Sequence, residues 1–199
     1  IFNDTKEDLK VEFNHIGKYI LYAGAGDPRK NLSSLIKAYA SLPPEYIINY
    51  KLVLAGKLLQ PEIDNILGLM ISLDLPSDSV VFLGYISDDE LVTLYRKCYL
   101  FVFPSLHEGF GLPVLEAMCC GAPVIASNRT SLPEVIGFEE ALFDPLNISA
   151  IKELIVKVID DIIFYERLKF NSLNRSNLFS WELTSRKLKD SIDNFLNSS

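Results

Sequence analysis

The sequence predicts an α/β protein built on a doubly wound, Rossmann-like parallel sheet. Three observations carry that prediction. Short apolar runs recur along the chain, each is followed by a longer stretch with helical spacing, and glycine or proline closes most of the runs. Strands that are apolar throughout are buried on both faces, as parallel strands are, and parallel neighbours need the crossover helices that the intervening stretches supply.

The elements follow in order. Residues 1–17 are polar and irregular and read as a linker, and residues 18–199 read as one domain. The first strand covers residues 18–23. A helix over 32–40 puts Leu32, Leu35, Ile36 and Tyr39 on one face, with Asn31 placed to cap it. A strand over 51–55 ends at Gly56, a helix lies within 62–73, and a strand over 79–83 ends at Gly84. Ser87-Asp-Asp-Glu90 is a capping box, in which hydroxyl and carboxylate each satisfy an amide at the start of a helix running to about Cys98. The fourth strand, 99–103, stops at Pro104. A short helix over 113–120 carries its proline in the first turn, where a missing N–H costs nothing. Strands over 123–126 and 141–143 come next, and residues 148–195 are helical.

The 199 residues suffice for one sizeable core, and 49% hydrophobic with 23% charged residues argues against disorder. The net charge of -7 excludes non-specific nucleic-acid binding, which needs cations to displace counterions from phosphates. It leaves room for one phosphorylated small molecule held by backbone amides. Cys98, Cys119 and Cys120 read as buried, reduced thiols of a cytoplasmic protein. With only His15 and His107, no Cys/His cluster has zinc spacing, so no metal site is expected. No apolar run reaches membrane-spanning length and no signal peptide is visible. The chain starts at Ile1 without a methionine and reads as a piece of something longer.

A doubly wound sheet binds its ligand beyond the carboxyl ends of its strands. Three loops there are unusual: residues 24–31, 84–87 and 105–113. The last reads Ser105-Leu-His-Glu-Gly-Phe-Gly-Leu-Pro113 and runs into Val114-Leu-Glu116. Gly109 and Gly111 let a ligand approach the backbone closely. The helix that follows aims its open amides back into the loop, which suits a phosphate. Glu108 and Glu116 frame this turn. Paired carboxylates also suit glycosidase chemistry, and either acid alone suits a solvated loop or a helix start. Set around two glycines and a proline, the pair points to a site. A carboxylate accepts two hydrogen bonds at once and so suits vicinal hydroxyls.

Glu108-Gly-Phe-Gly-Leu-Pro-Val-Leu-Glu116 resembles the E-x7-E motif of glycosyltransferase family 4, retaining enzymes of the two-domain GT-B fold. The resemblance extends along the chain. It takes in Gly24 with Asp27-Pro-Arg-Lys-Asn31, Leu52-Val-Leu-Ala-Gly56 and Val81-Phe-Leu-Gly-Tyr85. It continues through Phe101-Val-Phe-Pro-Ser105, Gly121-Ala-Pro-Val-Ile-Ala-Ser127, Ser131-Leu-Pro-Glu-Val135 and Phe179-Ser-Trp181. It implies the C-terminal, nucleotide-sugar-binding half of such an enzyme, with the N-terminal acceptor domain absent from this chain.

By position, the resemblance gives Glu116 the ribose hydroxyls and Glu108 the donor sugar. The amides of Gly109, Phe110, Gly111 and Leu112 fall to sugar and diphosphate. Gly24 belongs to the first glycine loop, and Lys30 neutralises diphosphate charge that grows on the leaving group. Gly84, Tyr85 and Ile86 line the base, with Tyr85 either stacked on it or turned to the core. Glu108 and Lys30 are the catalytic candidates. Many relatives place an arginine after the first glycine; here it is Ala25, and Arg29 either compensates or is a surface charge. His107 reads as a surface or packing residue, Glu134 as a brace for the loop beside the site, Cys119 and Cys120 as packing, and Trp181 as the packing anchor of the last helix. The resemblance implies no cofactor, a nucleotide diphosphate sugar as substrate and an acceptor the sequence does not identify. It allows peripheral membrane association through the absent half.

Two other readings stay open. A lapsed glycosyltransferase-like module serving binding or assembly is kept alive by Ala25. A nicotinamide-binding domain has only Gly24-Ala-Gly26 in its favour, because Arg29 stands where the third glycine of G-x-G-x-x-G belongs.

Overall fold

The computed structural model describes residues 16–197, so most of the linker expected over 1–17 lies outside the described residues. Six strands form one parallel sheet in the order β3-β2-β1-β4-β5-β6. They are β1 (Tyr19–Ala23), β2 (Lys51–Ala55), β3 (Val80–Gly84), β4 (Leu100–Phe103), β5 (Val124–Ser127) and β6 (Leu142–Phe143). The order reverses between β1 and β4, which pair in parallel with Ile20 opposite Leu100 and Leu21 opposite Phe101. A sheet of this order opens a crevice at that reversal.

The central strands are buried end to end: Ile20, Leu21, Tyr22, Leu100, Phe101, Val102 and Phe103 are fully inaccessible. Helices cover both faces. On one, α1 (Leu32–Ala40) packs against α3 (Gln60–Ser72) and α7 (Ile148–Asp160). On the other, α4 (Asp88–Lys97), α5 (Leu112–Cys119), α6 (Leu132–Ile136) and α8 (Ile162–Ser176) form a second layer. Right-handed crossovers put these groups on opposite sides of the sheet.

The predicted elements are present with ends shifted by a residue or two, and the remainder after residue 148 divides into α7, α8 and α9 (Trp181–Asn197). Two helices were not predicted: α2 (Pro44–Asn49) and α6. Each is too short to show a helical period.

The expected capping box at Ser87 forms, with Glu90 accepting from the Ser87 amide at 2.7 Å and the Ser87 hydroxyl accepting from the Glu90 amide at 3.3 Å. Three expectations are corrected. Asn31 does not cap α1 through its side chain: it is left-handed (φ 56°), and its amide donates to the carbonyls of Pro104 and Pro145. That ties β1's loop to β4's, a job no local pattern announces. Trp181 is not a packing anchor but 67% exposed, on a helix none of whose described side chains is buried. Of the three free thiols, Cys98 is buried, Cys120 half-buried and Cys119 exposed, so Cys119 does not serve as packing.

Candidate functional site

The loops after β1 and β4 meet where the sheet order reverses. They are sewn together through the backbone. The Arg29 carbonyl accepts from the Leu106 amide at 2.7 Å and from the Ser105 hydroxyl at 3.1 Å. Pro28–Lys30 forms a short 3-10 turn, started by Asp27, whose carboxylate accepts from the Arg29 amide at 2.8 Å. This turn delivers Lys30 to Glu108. Their ammonium and carboxylate pair at 2.7 Å, with side chains only 21% and 12% exposed. Lys30 also stands 5.2 Å from the centre of the Phe103 ring. An ammonium carries three donors, so Glu108 leaves others available.

Arg29 is placed differently. Its guanidinium is forked on Asp27, with a closest contact of 2.7 Å, and its side chain is 67% exposed. Asp27 is held at about pH 2, well below the usual carboxylate range, first by the side-chain hydrogen bond from Arg29. In this arrangement the Arg29 guanidinium is engaged within its own turn.

The turn into α5 has the predicted form. Gly111 is left-handed at φ 98°, and an added Cβ would lie 2.5 Å from a Leu132 methyl. No side chain caps α5. Among the described residues, no acceptor meets the amides of Gly109, Phe110, Gly111 or Leu112. These donors open a helix whose dipole favours an anion.

The turn is braced from the β5–α6 loop by two residues that the sequence reading did not single out. The Ser131 hydroxyl donates to the carbonyls of Phe110 at 2.8 Å and Glu108 at 3.3 Å, and Thr130, left-handed at φ 51°, accepts from the Glu108 amide at 3.1 Å. Glu134, expected to brace this loop, has an exposed side chain, and only its carbonyl is engaged, by Arg175 at 2.5 Å. Phe110 is 40% exposed and meets Phe179 edge-on at 5.8 Å. His107 is exposed.

Beside this turn lies a hollow of about 260 Å³ over the ends of β1 and β2. Gly24 and Gly56 floor it, and Tyr85, Ile86, Asp88 and Glu116 wall it. The floor is close-packed backbone: Gly56 sits at φ 126°, and a Cβ there would lie 2.2 Å from the Gly24 carbonyl oxygen. Tyr85 is 84% exposed at the rim, which settles that its ring is outside the core. Glu116 projects from α5 and receives the buried Tyr95 hydroxyl at a long 3.4 Å. Burial, with the nearby Asp88 charge, raises its carboxyl above the ordinary value. Gly84, left-handed at φ 66°, turns the chain out of β3 so that Tyr85 and Ile86 reach the hollow.

Glu116 thus lines the hollow, while Glu108 lies to one side with Lys30, and the Gly24 loop joins the two regions. Tyr95 and Asp88 were absent from the sequence reading as site residues. Tyr95 could have been found only from the helical phase of α4, which aims it inward. A larger apolar groove of about 600 Å³ runs along α8 past Phe138, Ile163 and Phe170. Among the described residues, no three His, Cys, Asp or Glu side chains are placed to hold a metal ion, and no helix is long and apolar enough to cross a membrane.

Comparison with known proteins gives a consistent picture. The family described as Glycosyl transferases group 1 matches residues 3–175. The serotype-specific mannosyltransferase WbdA of Escherichia coli is 44% identical over 193 residues, covering 97% of this chain and 24% of the relative. The O-antigen chain mannosyltransferase B of Escherichia coli is 40% identical over 164 residues, covering 82% of this chain and 42% of the relative. Among solved structures, sucrose-phosphate synthase from Thermosynechococcus elongatus superposes with a TM-score of 0.79 at 30% identity, covering 92% of this chain and 46% of that one. The chain spans about a quarter of the length of WbdA.

Proposed function

The chain belongs to the glycosyl transferases group 1 family, and from that premise we propose that it is the donor-binding, C-terminal domain of a retaining GT-B enzyme of family 4. The observation that carries this reading is the turn Gly109–Leu112 at the start of α5, whose amides meet no acceptor among the described residues, with Glu116 lining the adjoining hollow.

In this reading the diphosphate lies on the amides of Gly109, Phe110, Gly111 and Leu112 at the start of α5. Glu116 accepts the two ribose hydroxyls, and Gly84, Tyr85 and Ile86 border the base. Gly24 gives the phosphates close access to the backbone. Glu108 holds the donor sugar, and its pairing with Lys30 keeps the ammonium beside the diphosphate. During transfer the bond from the anomeric carbon to the diphosphate breaks and a bond to the acceptor hydroxyl forms, with retained configuration. The acceptor's proton passes to the diphosphate oxygen freed from the anomeric carbon, and Lys30 offsets the negative charge that remains on the departing nucleotide. No cofactor is required beyond the nucleotide sugar. The acceptor, and any contact with a membrane, belongs to an N-terminal domain outside this chain, so the chain alone binds donor with little turnover. Mannosyltransferase relatives of O-antigen chains support a hexosyl transfer in polysaccharide biosynthesis.

The engagement of Arg29 by Asp27 supports a second reading, in which the phosphate clamp is incomplete and the domain serves binding or assembly without turnover.

The experiment is titration calorimetry with UDP and GDP on the chain and on Glu116→Ala. The donor reading expects binding of at least one nucleotide, weakened about tenfold or more by the substitution, as for loss of hydrogen bonds to a charged group. Equal heats from both proteins would contradict the ribose assignment.

A further inference from the structure

A separate recess lies at the other end of the sheet. It holds about 250 Å³ and opens where β1, β4 and β5 begin, beside Lys18, Tyr99 and Pro123. It shares no lining residue with the hollow beyond the strand ends. We infer that this recess is an anion site, built from side-chain cations to take a small phosphorylated anion.

Four cations from three parts of the chain line it: Lys18 ahead of β1, Arg96 and Lys97 in the last turn of α4, and Lys169 in α8. No Asp or Glu lines it. The chain carries 26 acids against 19 Lys and Arg, so a recess with four cations and no acid runs against its composition. Lys18 and Lys169 are held there by aromatic rings. Tyr99 and Tyr165 both line the recess and stack with centres 4.7 Å apart. The Lys18 ammonium lies 5.6 Å from the centre of Tyr99 and 5.5 Å from that of Tyr50, and the Lys169 ammonium lies 5.6 Å from that of Tyr165. Ring faces attract these cations without neutralising them. Among the described residues, Lys18 and Arg96 make no ion pair, and Lys169 pairs only with Glu166, at 4.0 Å.

The helix dipole accounts for part of this cluster, because Arg96 and Lys97 suit the carbonyl end of α4. It does not account for Lys18, which precedes a strand, or for Lys169, which stands midway along α8. Like charges gathered in one recess repel one another, and a bound anion reverses the sign of that interaction. The volume lies below the range of about 300–1,000 Å³ that takes drug-sized ligands, which limits the occupant to a small group. A phosphoryl group fits the charge: it carries close to two negative charges at neutral pH, where a carboxylate carries one. An Arg fork can take two of its oxygens, and the lysines act as point charges. The phosphoryl group can belong to a soluble anion or to a phospholipid headgroup.

The test is a pyrophosphate titration of the isotope-labelled 199-residue chain, followed through amide NMR shifts. It is repeated on Arg96→Ala/Lys169→Ala and on the charge-preserving Arg96→Lys/Lys169→Arg, with thermal melts confirming that each folds. Saturable shifts are expected at Gly17, Lys18, Cys98 and Gly121, about tenfold weaker or more in affinity in the double alanine variant and retained in the charge-preserving one. Shifts at Gly109 to Leu112 report the donor turn, so the two sites are read independently. Sedimentation with phosphatidylglycerol vesicles, against phosphatidylcholine alone, separates the sources. Co-sedimentation lost in the double alanine variant assigns a lipid headgroup, and pyrophosphate binding without co-sedimentation assigns a soluble anion. Absence of saturable shifts at the four recess residues, or shifts that the double alanine variant keeps in full, overturns the anion site.

Discussion

Glu116 carries two opposed requirements. Its carboxyl is half-buried, yet the proposed ribose contact needs it ionised, so that it accepts two hydrogen bonds at once. Burial, the larger effect, and the Asp88 charge both raise its pKa above the ordinary 4.5, while the Tyr95 hydroxyl pulls the other way. A proton therefore binds the folded chain more tightly than the unfolded one. Below the ordinary value both states are protonated and the group costs nothing. As pH rises from there through the folded pKa, the cost appears and stays. Glu116→Gln should then be at least as stable as wild type at pH 7, with the difference in Tm closing as pH falls towards 4.5. Nucleotide affinity moves oppositely: the wild type loses its advantage over Glu116→Gln on acidification. A variant that is less stable at pH 7 and more so at pH 4 would contradict this assignment. At Lys30 and Glu108 the pair is mostly enclosed, so Lys30→Ala should cost about 1 kcal/mol of stability, read by urea unfolding. The same substitution in Glu108→Ala should cost less, because the stranded charge is already gone. Glu108 and Glu116 stood out in the sequence as candidates because their spacing around two glycines is itself a signal, whereas Lys30 entered only through the family resemblance. Thr130, Ser131 and Asp88 did not stand out, since each acts across the fold on a loop far away in the chain.

Among the elements, the strand-end glycines separate by what surrounds them. Gly56 has φ 126° and the Gly24 carbonyl where a side chain would go, whereas Gly84 has φ 66° and open space. Gly56→Ala should destabilise by more than about 2 kcal/mol and Gly84→Ala by about 1 kcal/mol, both in urea unfolding. Reversal of that order would refute the close approach of the β1 and β2 ends. Among the described side chains of α9, none is buried. A chain stopped after Ser180 should melt within about 2 °C of the full chain, and a fall above about 5 °C would show that α9 supports the core. Trp181 was read as the anchor of this helix, yet it is exposed. Periodicity shows that a helix has an apolar face and not whether anything covers it. The long strands and helices were legible for the same reason that α2 and α6 were not: alternation and helical phase need several turns to register.

At the scale of the whole molecule, the proposed anion site of an acidic chain of charge -7 is assembled from backbone donors and needs no basic surface. The topology does this. It brings the loops after β1 and β4 together at the switch point, locks them through Asn31 and Ser105, and leaves the amides ahead of α5 without an acceptor among the described residues. The order of the sheet could be anticipated only as a class, because strand order is set by crossover packing and not by any one segment. The most direct measurement is a crystal structure of the chain with GDP. The account predicts both phosphates on the amides of Gly109, Phe110, Gly111 and Leu112 beside Lys30, with the ribose hydroxyls on Glu116. Phosphates bound elsewhere, with those amides and Glu116 untouched, would contradict it.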